Sequence, residues 1–339
     1  MLDSPQSCMT CGDEGCTRRS ASKPLMTPSS PMTSYVVDEV WPEYKDYLSA
    51  RITAADQLCA PHPILQRYAW PQISFTQTAL LPTLMRHIQM RRVATAPGGV
   101  RQQTYFRADD KLAAALGRMI DYRAQHLVIY QNFLPWLHQR GWLGGRSYDV
   151  LMTRYPLKIL HQKLDAAAED HPSSASLKDF RAPEAIVDAE WRALSGAQHV
   201  ITPHTDIAAL FSEKSHLLPW HLPAPSPHRP GHRSGTRFAF LGPTIAREGA
   251  YIARDFARRL SSPLIVFGDD LESQDFWRGI PIERRAYSSR WLDDIGAIIY
   301  PAIAPAQPRR LLQAMQNNVT IYATSAAGLP DSFYRNIIL

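Results

Sequence analysis

A chain of 339 residues, 45% apolar and 20% charged, is long enough for two cores and too apolar for wholesale disorder. Its net charge of +6 suits an anionic ligand or an acidic membrane surface, but the basic residues form no run of five. An ordinary solvated surface accounts for them equally well, and no nucleic-acid-binding module is visible. No apolar run approaches the roughly 20 residues of a membrane span, so any membrane contact is expected to be peripheral. The opening MLDSPQSCMTCGDEG has no basic-then-apolar leader pattern, and a cytoplasmic location is expected.

Residues 1–34 are rich in Ser, Pro and Thr and read as a flexible tail. The tail carries Cys8, Cys11 and Cys16, and the remaining cysteine is Cys59. Four sulfurs complete a tetrahedral zinc site, whereas three in a polar tail are also what a reduced, unliganded segment would show. Residues 35–216 are expected to form an N-terminal α/β domain. The stretch from Tyr35 to Met90 reads as mostly helical, with Leu80–Arg92 the clearest helix. Arg91–Ala96 is a possible strand ending at Gly98-Gly99, where a ligand could approach the backbone or the chain could simply turn.

The following units alternate regularly. Asp109–Tyr122 reads as a helix, HLVIYQ as a buried strand, NFLPWLHQRGW as a short helix, and YDVLMTR as another strand. Helices are expected at Lys158–Ala168 and Pro183–Ser195, then the strand QHVITPH and a helix from His204. Arg154 and His204 fall just beyond strand ends, where ligands of doubly wound sheets sit. An imidazole titrating near pH 6.5 could serve there as a base, or simply cap the helix. Residues 217–235 (LLPWHLPAPSPHRPGHRSG) are rich in Pro, His and Gly and read as a linker.

The C-terminal domain, 236–339, shows the plainest alternation. Its apolar runs FAFL, LIVF and AIIY are each closed by Gly or Pro, with helix-like segments at Arg247–Leu260 and Arg309–Gln316. That pattern predicts a parallel sheet buried on both faces. Gly242 ends the first run, and Arg247 follows at a helix start suited to a phosphate. Thr324, Ser325 and Gly328 form a small-residue turn after the last run.

The series LGPTIAREG, LIVFGDD, IGAIIYPA and LLQAMQNNVTIYATSAAGLPD resembles the donor-binding half of GT-B glycosyltransferases. The resemblance implies two Rossmann-like doubly wound domains facing across a cleft, with a nucleotide-sugar as donor and an unidentified acceptor. It places the donor against Gly242, Arg247, Gln313, Thr324, Ser325 and Gly328. It matches Gly98 and Gly99 to a Gly-Gly loop of the acceptor domain, and Arg154 and His204, at strand ends of that domain, are the catalytic candidates. No cofactor beyond the donor is implied. The charged positions depart from the family: Pro243 and Arg247-Glu248 stand where its Arg and Lys fall, and Pro305 and Gln313 replace its Glu pair. A catalytically inactive binding or scaffold protein of the same shape is the alternative.

Overall fold

The computed structural model describes residues 32–63, 70–71, 73–94, 96, 98–179, 181–224, 235–304 and 307–337. Cys8, Cys11, Cys16, Pro305 and residues 225–234 of the expected linker lie outside them.

The first domain runs β1 (Met32–Val36), α1 (Pro42–Ser49), β2 (Gln57–Pro61), β3 (Thr76–Ala79), α2 (Leu80–Arg92) and α3 (Gly98–Met119). It continues β4 (Ala124–Tyr130), α4 (Leu134–Gln139), β5 (Ser147–Leu151), α5 (Leu157–Asp170) and α6 (Ser176–Asp179). It closes with α7 (Glu184–Gly196), β6 (His199–Thr202), α8 (Thr205–Leu210) and β7 (Ser215–Leu217). These seven strands form a parallel sheet in the order β3-β2-β1-β4-β5-β6-β7. The second domain runs β8 (Arg237–Phe240), α9 (Ala250–Ala257), β9 (Leu264–Phe267), β10 (Ile282–Arg285), β11 (Ile295–Tyr300), α10 (Arg309–Gln316), β12 (Thr320–Ala323) and β13 (Arg335–Asn336). Its sheet is also parallel, in the order β10-β9-β8-β11-β12-β13.

Both orders reverse direction between the first and fourth strands, the doubly wound arrangement whose crevice lies beyond the carboxyl ends of those two strands. The central strands are apolar because helices cover both faces. All four residues of β9 are buried, and Leu127–Tyr130 of β4 are likewise enclosed.

Four expectations change here. The first strand begins at Met32, so the tail cannot extend to residue 34. Ser34 is fully buried and its hydroxyl donates to Gln57 Oε1 at 2.6 Å. The stretch 35–90 is not mostly helical, since β2 and β3 lie within it. Gly98-Gly99 does not follow a strand but opens the 22-residue helix α3. The start of the expected linker is also ordered: Leu217 belongs to β7, and Leu218 and Trp220 are buried.

The two domains meet along one continuous apolar seam containing Trp41, Tyr44, Trp220, Ala302, Leu311 and Leu329. Polar ties flank it. Arg309 makes a paired contact with the buried Glu43 carboxylate, and the Glu43 Oε1 also accepts from His221 N at 2.7 Å. Elsewhere Ser174 and Ser176 of the first domain both donate to Glu272 of the second.

Candidate functional site

Beyond β4 and β5 lies a cavity of about 220 Å³ that both domains line. α3 supplies Gln102, Tyr105, Phe106 and Asp109, the turn after β5 supplies Arg154, and the second domain supplies Arg247. Arg154 is held by its surroundings. Its guanidinium reaches Glu190 Oε1 at 2.7 Å, and its backbone N–H donates to Gln131 Oε1 at 3.2 Å. Glu190 is fully buried, so this pair fixes where the cavity wall carries charge.

Asp109 escaped the sequence reading, although a signal existed. With Leu112, Ala113 and Leu116 it occupies the buried stripe of α3, where a carboxylate is out of place. Arg86 of α2 lies 3.3 Å from it and also pairs with Asp38, just beyond β1. Burial pushes the Asp109 carboxyl well above the ordinary carboxylate range, against the attraction of Arg86 and with the help of Asp38.

A second cavity, about 280 Å³, opens at the switch point of the other sheet. Leu241, Gly242 and Pro243 after β8, Tyr300 ending β11, and Arg309 and Arg310 opening α10 surround it, together with Glu248 and Tyr287. Burial raises the Glu248 carboxyl, with Arg247 opposing. Arg310 lies 3.3 Å above the Tyr287 ring, which also stacks on Phe267 at 4.5 Å and meets Trp291 edge-on at 5.6 Å. Gly242 is needed for the close approach of Glu248, because a Cβ there would fall 3.0 Å from that of Glu248.

Arg247 does not start the long helix expected at Arg247–Leu260. It sits in a single 3-10 turn, Ala246–Glu248, which the left-handed Gly249 separates from α9. Glu272 anchors this turn by accepting from Ala246 N at 3.0 Å, and Ile303 N donates to the Arg247 carbonyl at 2.8 Å. Consecutive side chains of the turn therefore serve different cavities: Arg247 lines the first and Glu248 the second.

Other expected site residues have partners inside the protein. Asp179 of α6 lies against the start of α3, and a Cβ on Gly98 would overlap its carboxylate. The glycine pair thus admits the chain's own anion rather than a ligand. Gln313 accepts from Trp291 Nε1 at 3.1 Å, and the Thr324 hydroxyl donates to Ala302 O at 2.6 Å. Ser325 is exposed beside them, outside the lining of both cavities.

Gly328 and His204 do meet, but in the seam between domains. Gly328 is left-handed at φ 66° and has no room for a Cβ because the His204 ring occupies that space. His204 is fully buried between Trp220, 4.9 Å away, and Trp41, 5.9 Å away. Neither ring nitrogen finds a hydrogen-bond partner among the described residues. Burial pushes the imidazole down to about 3, so at neutral pH it is an uncharged packing group and no longer fits a general base. A folded pKa below the unfolded value of about 6.5 means the unfolded chain binds the extra proton. Stability is then present above pH 6.5 and falls by about 1.4 kcal/mol per unit toward pH 3. Asp109, raised in the fold, works in the opposite direction, so the difference between two proteins isolates His204. Between pH 7 and 5 the parent is expected to lose about 2 kcal/mol more than His204→Leu in urea unfolding. Equal losses would remove the buried-imidazole account.

The zinc reading loses its fourth sulfur. Cys59 is fully buried in β2 with a free thiol, pushed up to about 12 by burial. Among the described residues no group of three or more His, Cys, Asp or Glu is placed to hold a metal ion. Nor, among them, is any helix long and apolar enough to cross a membrane.

Two doubly wound parallel sheets, with one cavity beyond β4 and β5 lined by both domains and another at the switch point of the second sheet, form a GT-B-like arrangement of α/β domains. The chain is similar to Anabaena Alr3699/HepE solved with UDP and glucose, at 12% identity and a TM-score of 0.47, covering 87% of this chain and 81% of that one. It is similar to a trehalose-6-phosphate synthase studied with bisubstrate glycomimetics, at 8% identity, TM-score 0.46, and 91% and 88% coverage. Arabidopsis thaliana UGT89C1 complexed with UDP matches at 10% identity, TM-score 0.42, and 87% and 80% coverage. No family model and no curated protein matches the sequence. At these levels of identity no residue role passes from the solved structures to this chain.

Proposed function

We propose that the protein transfers a sugar from a nucleotide-activated donor, held against the second sheet, to an acceptor held against the first. One observation supports this above the others: the Ala246–Glu248 turn sends Arg247 into one cavity and Glu248 into the other. A donor whose diphosphate lies at the Gly242 turn meets the Arg247 guanidinium where its sugar faces the acceptor cavity. The acceptor hydroxyl attacks the anomeric carbon, and its proton passes to Asp109. The bond from that carbon to the donor phosphate breaks, with the electron pair leaving on the diphosphate toward Arg247. A carboxyl raised toward neutrality is matched to such a proton transfer.

The test begins with thermal shifts against UDP-, GDP-, ADP- and CMP-sugars, since a ligand of the folded state raises apparent stability. With the best of them, calorimetric titration of Arg247→Ala is expected to show affinity reduced about 10- to 150-fold, the loss of one charge-assisted contact. Gln313→Ala leaves affinity unchanged, because that amide is engaged by Trp291. If no nucleotide binds the parent, the donor site is refuted.

A second reading, binding without transfer, draws on the internal commitments of Gln313, Thr324 and the Gly98 helix start. The two readings separate on one measurement. Transfer requires the parent to consume the bound donor and Asp109→Asn to bind it without consuming it. Binding alone leaves the donor intact with both proteins.

A further inference from the structure

The helix α2 has no buried residue, and its solvent face is apolar. Leu80, Leu81, Leu84, Met85 and Ile88 are 48%, 67%, 41%, 45% and 36% exposed. Their spacing of i, i+1, i+4, i+5 and i+8 puts them on one side of the helix, and the exposed Arg91 and Arg92 extend the same side by one turn. The opposite side is already used: Arg86 faces Asp38 and Asp109, and α2 packs on α3. On α3, Val100 and Tyr105 add exposures of 48% and 46%. Single exposed apolar residues are ordinary, but five on one face are not.

Charge decides the occupant. Residues 57–108 contain six Arg and no Asp or Glu, in a protein with 31 acidic residues elsewhere. An apolar helix face within an acid-free, arginine-bearing segment matches a surface that is apolar below and anionic above. We infer that α2 docks the protein onto anionic lipid membranes, lying in the interface with Leu81, Leu84 and Ile88 among the acyl chains and Arg91 and Arg92 at the headgroups. This inference is independent of what the two cavities bind. It does set the first cavity near the lipid surface, because α3 carries Gln102, Tyr105 and Phe106 into that cavity's wall.

The experiment is co-sedimentation of the full chain with vesicles of phosphatidylcholine alone or mixed with phosphatidylglycerol. The parent is expected to bind the mixed vesicles more tightly, and added salt to weaken that binding. Leu81→Ser combined with Leu84→Ser is expected to lower affinity at least about tenfold. Arg91→Gln combined with Arg92→Gln is expected to lower affinity for anionic vesicles about 30-fold and leave any binding to neutral ones unchanged. All four positions are exposed, so both double variants keep the parent's melting temperature, which certifies their fold. Equal binding to both vesicle types, no binding to either, or variants that bind like the parent would overturn the inference. So would a parent dimer in sedimentation velocity that the leucine variant converts to monomer, since a second copy would then cover α2.

Discussion

Glu43→Ala is expected to destabilise the protein by about 3–5 kcal/mol, the cost of breaking a buried ion pair from one side. The Glu43 side chain is entirely enclosed, and its two oxygens are met by Arg309 and by the backbone N–H of His221. Removing the carboxylate leaves Arg309, at the start of α10, facing a seam of Trp41 and Trp220 with no counter-charge. Because this pair joins the two domains, the variant is also expected to split one cooperative urea transition into two. Arg309→Ala is expected to act in the same direction by stranding the buried carboxylate. A Glu43→Ala protein within about 1 kcal/mol of the parent, unfolding in one step, would show that the apolar seam alone joins the domains.

Gly249→Ala should lower stability by about 2–4 kcal/mol, combining left-handed backbone strain with overpacking. Gly249 has φ 81°, and a Cβ there would overlap the carbonyl of Pro301, a backbone group that cannot swing aside. Gly279→Ala is the internal control. Its φ is 75°, but nothing lies within 4 Å of the added methyl, so only the backbone strain remains. If the two variants lose the same stability, the steric contribution at Gly249 is absent. Gly249 also separates Arg247 from α9, so nucleotide affinity should fall in Gly249→Ala and hold in Gly279→Ala.

The middle of the second sheet was legible in the sequence because β8, β9 and β11 are largely enclosed and enclosure writes an unbroken apolar run, whereas its edge strands β10 and β13 carry no such run. The edge of the first sheet was not. β3 reads Thr-Gln-Thr-Ala because an edge strand keeps part of its surface toward solvent, and β2 ends in Pro61. Strand ends gave Arg154 and Arg247, since chain direction in a parallel sheet fixes which loops gather at the site edge. Asp109 and Glu248 were missed for different reasons. Asp109 enters its cavity from the side of a helix, and Glu248 is turned away from Arg247 by a three-residue 3-10 turn where a continuous helix was expected. His204 was misjudged because a strand-end position says nothing about whether the neighbouring domain closes over it.

The paired serines on Glu272 bear on time rather than on strength. Ser174 and Ser176 from the first domain grip a carboxylate that also accepts from Ala246 N, the first residue of the turn bearing Arg247. On the other flank Arg309 and Glu43 do the same across the seam. With a clasp at each side, the domains cannot swing apart as a hinge without undoing one of them. A molecule enclosed between the sheets is then expected to leave at the pace at which a clasp opens, and loosening Glu272 is expected to shorten its stay while also releasing the turn that carries Arg247.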